Sequence, residues 1–203
     1  PMTEETLPHP EDPYGIAKLA VEHELRVCKE MFDLDYIVFR PHNVYGERQN
    51  IGDKYRNVVG IFMNQALQNL PMTIFGDGEQ QRAFSYISDV APIIACAVEN
   101  PEAYNQIFNV GADTPYSVNE LARTVALAMG VEPQIKHLPA RNEVKYAYSS
   151  HVKVEKFFGA PRLVSLEEGV SRMAAWVKDH GARKSQKFEN VEVTKNFPVA
   201  WLD

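Results

Sequence analysis

Residues 35–41 read Asp-Tyr-Ile-Val-Phe-Arg-Pro, a short run in which apolar residues follow one another without alternation. A strand with one wet face alternates apolar and polar residues. A strand of a parallel sheet is covered on both faces and reads as a continuous apolar stretch. The run therefore predicts a strand buried on both sides. Before it, from about Tyr14 to Phe32, Ile16, Leu19, Ala20, Leu25, Val27 and Cys28 recur at helical spacing, which predicts an amphipathic helix. After it comes a polar loop carrying Gly46 and Gly52, at the strand's C-terminal end, where open α/β sheets bind ligands.

The alternation continues. Residues 57–69 read as helix, and the segment from Met72 to Asp89 as two strands around Gly76-Asp77-Gly78, a hairpin-like signal. A helix follows with Pro92 near its start, where a missing N–H is tolerated. A strand at Gln106–Gly111 precedes the spacing Ser117-x-x-Glu120, a capping box opening a helix that Gly130 ends. A strand at Gln134–Ala140 and two helices complete the pattern, the second opened by Ser165 and Glu168. The last twenty or so residues read as an irregular tail. Alternating helices and strands place the chain in the α/β class.

Among 203 residues, 45% are hydrophobic and 24% charged, the ordinary proportions of a globular protein, and the net charge is −6. An acidic chain is a poor general binder of nucleic acid, so any phosphate it holds must be gripped by a few placed Arg or Lys. No apolar run reaches the roughly 18 residues of a membrane span. The acidic, Pro-rich opening is neither a signal nor a transit peptide. The two cysteines, Cys28 and Cys96, fall in apolar helical patterns and read as buried thiols, with no disulfide or metal site. A reducing cytoplasm is the expected compartment. The absence of an initiator Met, and a helix and a buried strand with no earlier strands to complete their sheet, lead to the expectation that the chain begins inside a longer one.

Tyr14 and Lys18 stand four apart at the start of the first helix, on one face and one turn apart. An ammonium beside a phenol favours phenolate, and a tyrosine brought toward neutrality can act as a general acid/base. On spacing alone an exposed helical pair is the commoner reading.

The surrounding residues add to this. The segment PEDPYGIAKLAVEHEL resembles the active-site helix of the extended short-chain dehydrogenase/reductase family. YIVFRPHNVYG follows where that family has its next strand and substrate loop, and RNVVGIFMNQALQNLPMTIFGDGEQQRAFSYISDV is similar to its nucleotide-sugar-binding half. The likeness runs from about Pro1 to Gly181 and is greatest to the family's nucleotide-sugar epimerases and dehydratases, those of the UDP-glucose 4-epimerase type above all. It implies the C-terminal part of a Rossmann-type doubly wound sheet plus a small α/β substrate-binding domain. Residues 1–55 would be the remnant of the NAD-binding domain, 56–181 mainly the nucleotide-sugar domain with some segments returning to the Rossmann part, and 182–203 a tail. The glycine-rich turn for the NAD pyrophosphate, and the Ser or Thr that assists the tyrosine, are not in this sequence, so the chain by itself is expected to be inactive.

The resemblance also implies roles. Tyr14 would take the proton from the sugar 4-hydroxyl as hydride leaves for NAD. Lys18 would hold the tyrosine pKa down and bond the nicotinamide ribose, with Pro41 packing near the nicotinamide. Asn43 would bond substrate phosphate or sugar. Asn57 and Val58, at a helix start with free N–H groups, would meet the diphosphate, although Asn57 equally fits an ordinary N-cap. Thr73 and Phe75 would line the uracil pocket, and Arg82 would grip the diphosphate with its planar fork. Ala83 replaces the family's usual Asp. Arg141 would be a second phosphate ligand, and Glu143 would accept from the uridine ribose. His42 is a departure from the family and reads as a loop residue.

The expected reaction is UDP-glucose/UDP-galactose 4-epimerisation through a 4-keto sugar, in a homodimer. A nucleotide-sugar decarboxylase or 4,6-dehydratase shares the first step, and a non-catalytic nucleotide-sugar-binding module is the reading from another class. The helix LARTVALAMG reads as core packing, and the basic stretch Gly181–Lys187 as solvated chain.

Overall fold

The structure is a computed structural model that describes residues 1–53, 57–141, 144–160 and 163–184. In chain order the elements are α1 (Pro13–Phe32), β1 (Ile37–Pro41), β2 (Val44–Tyr45), α2 (Val58–Leu67), β3 (Met72–Phe75), β4 (Gln81–Ala83), β5 (Ser85–Tyr86) and α3 (Ile87–Cys96). They continue with β6 (Gln106–Val110), β7 (Pro115–Ser117), α4 (Val118–Met129), β8 (Ile135–Leu138), β9 (Tyr146–Ala147), α5 (Val152–Phe158) and α6 (Leu166–His180). The α/β class is as expected. The chain divides into two compact units. One comprises Pro1–Val44, Gln80–Ser117 and Glu143–Leu166. The other comprises Tyr45–Glu79, Val118–Asn142 and the described residues from Glu167 on.

In the first unit, β1 and β6 pair in parallel, with Phe39 opposite Phe108 and Pro41 opposite Val110. Phe108 is fully buried and anchors the core with Ala103 and Val154. Its ring stacks on Phe39 at 5.7 Å and meets Phe157 and Phe158 edge-on at 5.1 and 5.4 Å, the offset and T-shaped arrangements aromatic quadrupoles favour. A second sheet runs β7-β4-β9, antiparallel then parallel.

α1 starts where its sequence dictates. The Asp12 Oδ1 accepts from the Gly15 N–H at 2.7 Å, and Pro13 occupies the first helical position, where a missing N–H costs nothing. Asp33 ends the helix in a left-handed conformation, φ 54°.

The second unit is helix on strand. α4 buries Val118, Leu121, Ala122, Val125, Ala126 and Met129, a stripe at the 3.6-residue period. α2 packs against α4 and β3 and buries Phe62 and Met63 completely. α6 adds Val170, Met173, Ala174 and Val177 to the buried set. β3 and β8 pair in parallel, Met72 opposite Ile135. Arg183 is held by a reciprocal pair of bonds to the Asn64 side chain, both 2.9 Å; the tail beyond residue 184 lies outside the described residues.

Several expectations are corrected. β1 is only half-buried, because one strand alone, β6, flanks it among the described residues. α1 has no buried residue: of its stripe, Ile16, Ala20 and Val27 are exposed and Leu19, Leu25 and Cys28 only half-buried, since no described residue covers that face fully. Cys28 is half-buried and Cys96 exposed; apolar periodicity marks a face without guaranteeing a cover for it. Pro92 is interior to α3, because the helix begins at Ile87, directly after β5. β3 and β4 do not form a hairpin. Each pairs with a strand distant in sequence, and the two belong to different units.

Candidate functional site

In the first unit, Tyr14 is the second residue of α1 and Lys18 lies one turn on. The Lys18 Nζ is 5.3 Å from the Tyr14 ring centroid, and the Tyr14 side chain is 71% exposed. Both line a cavity of about 1010 Å³ whose far wall is β1, Pro41 included. The phenol, the ammonium and the strand end thus share one open space. Gly15 allows the entry segment to close in: a Cβ there would lie 3.0 Å from the Pro10 Cβ.

Arg40 and Glu22 line the same cavity. The Arg40 Nε and Nη2 donate to the two Glu22 carboxylate oxygens at 2.8 and 2.6 Å. The hydrogen bonds to Glu22 hold the Arg40 guanidinium above its ordinary pKa, so the guanidinium stays charged. It joins α1 to β1, and so sets the Tyr14–Lys18 face against the strand that ends in Pro41. A lone Arg in an apolar strand run was the signal that a carboxylate partner was needed.

Asn43 follows the strand end in a left-handed conformation, φ 44°. Its Nδ2 donates to the Ala83 carbonyl at 2.9 Å and its own carbonyl accepts from the Ser85 N–H at 3.2 Å. Ala83, where the resemblance expects Asp, is thereby fully buried and used through its backbone. Arg82, on β4, donates from Nη1 to the carbonyls of Gln81 and Lys145 at 2.7 and 3.3 Å. Its fork is partly engaged by the chain itself.

His42 has company that sequence reading missed. Its ring stacks on His151, centroids 5.1 Å apart and planes 22° apart. The His151 Nδ1 lies 2.6 Å from Asp113 Oδ1. Burial holds His42 below the ordinary imidazole pKa, and the nearby His151 adds to the effect. Neither partner is near His42 in sequence, so no local pattern signals the cluster.

In the second unit, the Arg141 guanidinium carbon lies 3.8 Å from the centre of the Phe75 ring, a planar cation on an aromatic face. These two expected residues are brought together. Thr73 is fixed by Gln65, whose amide donates to Oγ1 at 3.0 Å and accepts from the Thr73 N–H at 3.2 Å. Asn57 occupies the N-cap of α2 in a left-handed conformation, φ 64°, without a side-chain capping bond. Val58 is the first residue of α2. Glu143 lies outside the described residues.

Residues 1–111 match the profile of the NAD dependent epimerase/dehydratase family. The chain belongs to that family. It is 30% identical to the UDP-glucose 4-epimerase of Mycolicibacterium smegmatis, over 88% of this chain and 57% of that protein. To the dTDP-L-rhamnose 4-epimerase of Burkholderia thailandensis it is 30% identical over 89% of this chain and 50% of that one. The crystal structure of UDP-glucose 4-epimerase from Thermotoga maritima with UDP-glucose superposes with a TM-score of 0.81 at 33% identity, covering 89% of this chain and 58% of that one. The chain therefore spans about half the length of the relatives it matches, and its Rossmann-type relationship is established.

The Tyr14 phenol and the Lys18 ammonium stand on one helix face and open on a cavity with Pro41 in its wall. The glycine-rich strand-to-helix turn that cradles a pyrophosphate does not occur in the 203-residue sequence. No helix among the described residues is long and apolar enough to cross a membrane, and no three or more His, Cys, Asp or Glu side chains among them are placed to hold a metal ion.

Proposed function

We propose that this chain supplies the acid/base and nucleotide-sugar-binding parts of an NAD-dependent 4-epimerase acting on a UDP-hexose, with UDP-glucose and UDP-galactose as the substrate pair. The observation that carries this is the pairing of Tyr14 and Lys18, one turn apart, over an open cavity. A module that only binds nucleotide sugars has no use for that pair.

Tyr14 takes the proton from the sugar 4-hydroxyl and later returns one to the 4-keto oxygen, the two halves of an acid/base cycle. Lys18, one turn on and 5.3 Å from the Tyr14 ring centre, bonds the cofactor ribose. NAD, when bound, supplies the hydride acceptor. Pro41 contributes to the wall against the nicotinamide, and Asn43, beside it, bonds the substrate. Arg82 and Arg141 provide the positive charge that an acidic chain needs for a diphosphate. Phe75, with Thr73, offers a flat apolar surface to the uracil, and Asn57 and Val58 present the start of α2 to the phosphates. Glu143 accepts from the ribose hydroxyls. Met31 and Phe32, both exposed on α1, suit burial in a homodimer.

Calorimetry of UDP and of NAD, each titrated separately into the 203-residue chain, tests the reading. UDP binding without tight NAD binding is expected. Joined to a glycine-rich dinucleotide-binding segment, the protein should then interconvert UDP-glucose and UDP-galactose. A folded chain that ignores UDP and, when joined, fails to convert either sugar overturns the proposal.

A further inference from the structure

The turn at the end of β1 rests on a buried pair of imidazoles. The His42 Nε2 lies 3.4 Å from the Ala112 carbonyl and donates to it, which leaves Nδ1 with a bare lone pair. That nitrogen is buried without a hydrogen-bond partner, and so is the Nε2 of His151, a residue only 3% exposed. The other nitrogen of each ring is tied to an oxygen, so the tautomers are set by their partners.

The surroundings leave little room for adjustment. The Ser85 Oγ donates to the His42 carbonyl at 2.9 Å and accepts from the Ala112 N–H at 3.0 Å. At Gly111 a Cβ would fall 2.4 Å from the Ser85 Oγ and 2.9 Å from the His42 Cε1. A proton added to His42 Nδ1 would create a buried cation whose N–H has no acceptor, against a second imidazole. Such a group costs more than a half-exposed turn can resist, and the ring has to move out.

The charged groups around it are accounted for. Asp113 is on His151, and Glu4 accepts from the Asn109 N–H at 2.8 Å. Lys153 donates to the Ile107 carbonyl at 2.8 Å, and Arg40 is on Glu22. None supplies a carboxylate to His42 Nδ1.

We propose that the stacked His42–His151 pair is a proton-operated positioning device for the turn Pro41–Asn43, holding Asn43 against Ala83 while His42 is neutral and releasing it when His42 is protonated. Its consequence for substrate rests on the reading of Asn43 given above. The direction of the His42 shift agrees, since burial already favours the neutral ring.

The test is an imidazole and amide NMR titration of the 203-residue chain from pH 8 to 5, with UDP affinity measured over the same range. We expect His42 to titrate below the ordinary value of 6.5, and the Asn43 side-chain and Ser85 backbone amides to shift with the same midpoint. The UDP dissociation constant should rise about tenfold per pH unit below that midpoint, as one linked proton requires. His151→Gln, which removes the facing imidazole, should raise the midpoint. Asp113→Asn, at a side chain 53% exposed, keeps the test open if His151→Gln does not fold; it should change the Asn43 midpoint too. A His42 that titrates normally, or Asn43 signals that ignore it, overturns the device. If Asn43 follows His42 while UDP affinity stays flat, the device stands and the substrate role of Asn43 is overturned.

Discussion

Arg40 and Glu22 meet through two parallel hydrogen bonds, 2.8 and 2.6 Å long, that join a strand to the helix bearing Tyr14 and Lys18. Both side chains are less than a quarter exposed, so solvent screening is limited and removing one leaves the other partly desolvated. Glu22→Gln and Arg40→Met should each lower stability by about 1–3 kcal/mol. The double variant should lose less than the sum, which denaturant titration in a double-mutant cycle would read. Additive losses would mean the two act independently.

Tyr14→Phe removes one oxygen from a side chain that is 71% exposed. Thermal stability should stay within about 0.5 kcal/mol. In the protein joined to a dinucleotide-binding segment, kcat should fall by about 10²–10⁴, the usual worth of a placed acid/base. Steady-state assay of UDP-galactose formation checks this; an unchanged kcat would place the proton transfer elsewhere.

The Arg141 guanidinium carbon sits 3.8 Å over the centre of the Phe75 ring, a contact that a lysine ammonium does not reproduce. Arg141→Lys keeps the charge and loses the plane. UDP affinity should drop about tenfold, the effect of some 1.4 kcal/mol, measured by calorimetry on the chain. Equal affinity would mean that charge alone is used there.

Gly78 adopts φ +79°, and a Cβ would fall 2.3 Å from the Asn119 Oδ1. The Asn119 amide donates to the Asp77 carbonyl at 2.9 Å and the Glu79 carboxylate at 2.7 Å, so it is not free to swing away. Gly78→Ala should cost about 1–3 kcal/mol, seen as a lower urea midpoint with an unchanged slope.

That same loop shows what the sequence does and does not contain. Gly76-Asp77-Gly78 signals a turn, since both glycines take positive φ. It carries no record of which strand pairs with which, since turn chemistry is local and the partners of β3 and β4 come from Ile135–Leu138, Pro115–Ser117 and Tyr146–Ala147. α1 was legible because its apolar residues recur at helical spacing within one short stretch of sequence. The Tyr14–Lys18 pair was legible for the same reason. The His42–His151–Asp113 cluster was not, because its members come together only through the packing of three distant segments. The apolar stripe of α1 was legible as a stripe, while its exposure was not, because periodicity shows which residues share a face and says nothing about what covers it.

His42 also links stability to pH. Its folded-state pKa is depressed below 6.5, burial being the larger cause, so the unfolded chain takes up the proton first. Stability is then full above pH 6.5 and is lost as the pH falls from there toward the folded-state value, at up to about 1.4 kcal/mol per pH unit. Below that value the loss levels off, because both states are protonated. His42→Phe keeps a flat ring in the stack and removes the titration. Melting the two proteins at pH 7.5 and 5.5 isolates the effect, because every other group is common to both. The wild type should lose more on acidification than the variant, and equal losses would show that the His42 ring is reached by water in the folded state.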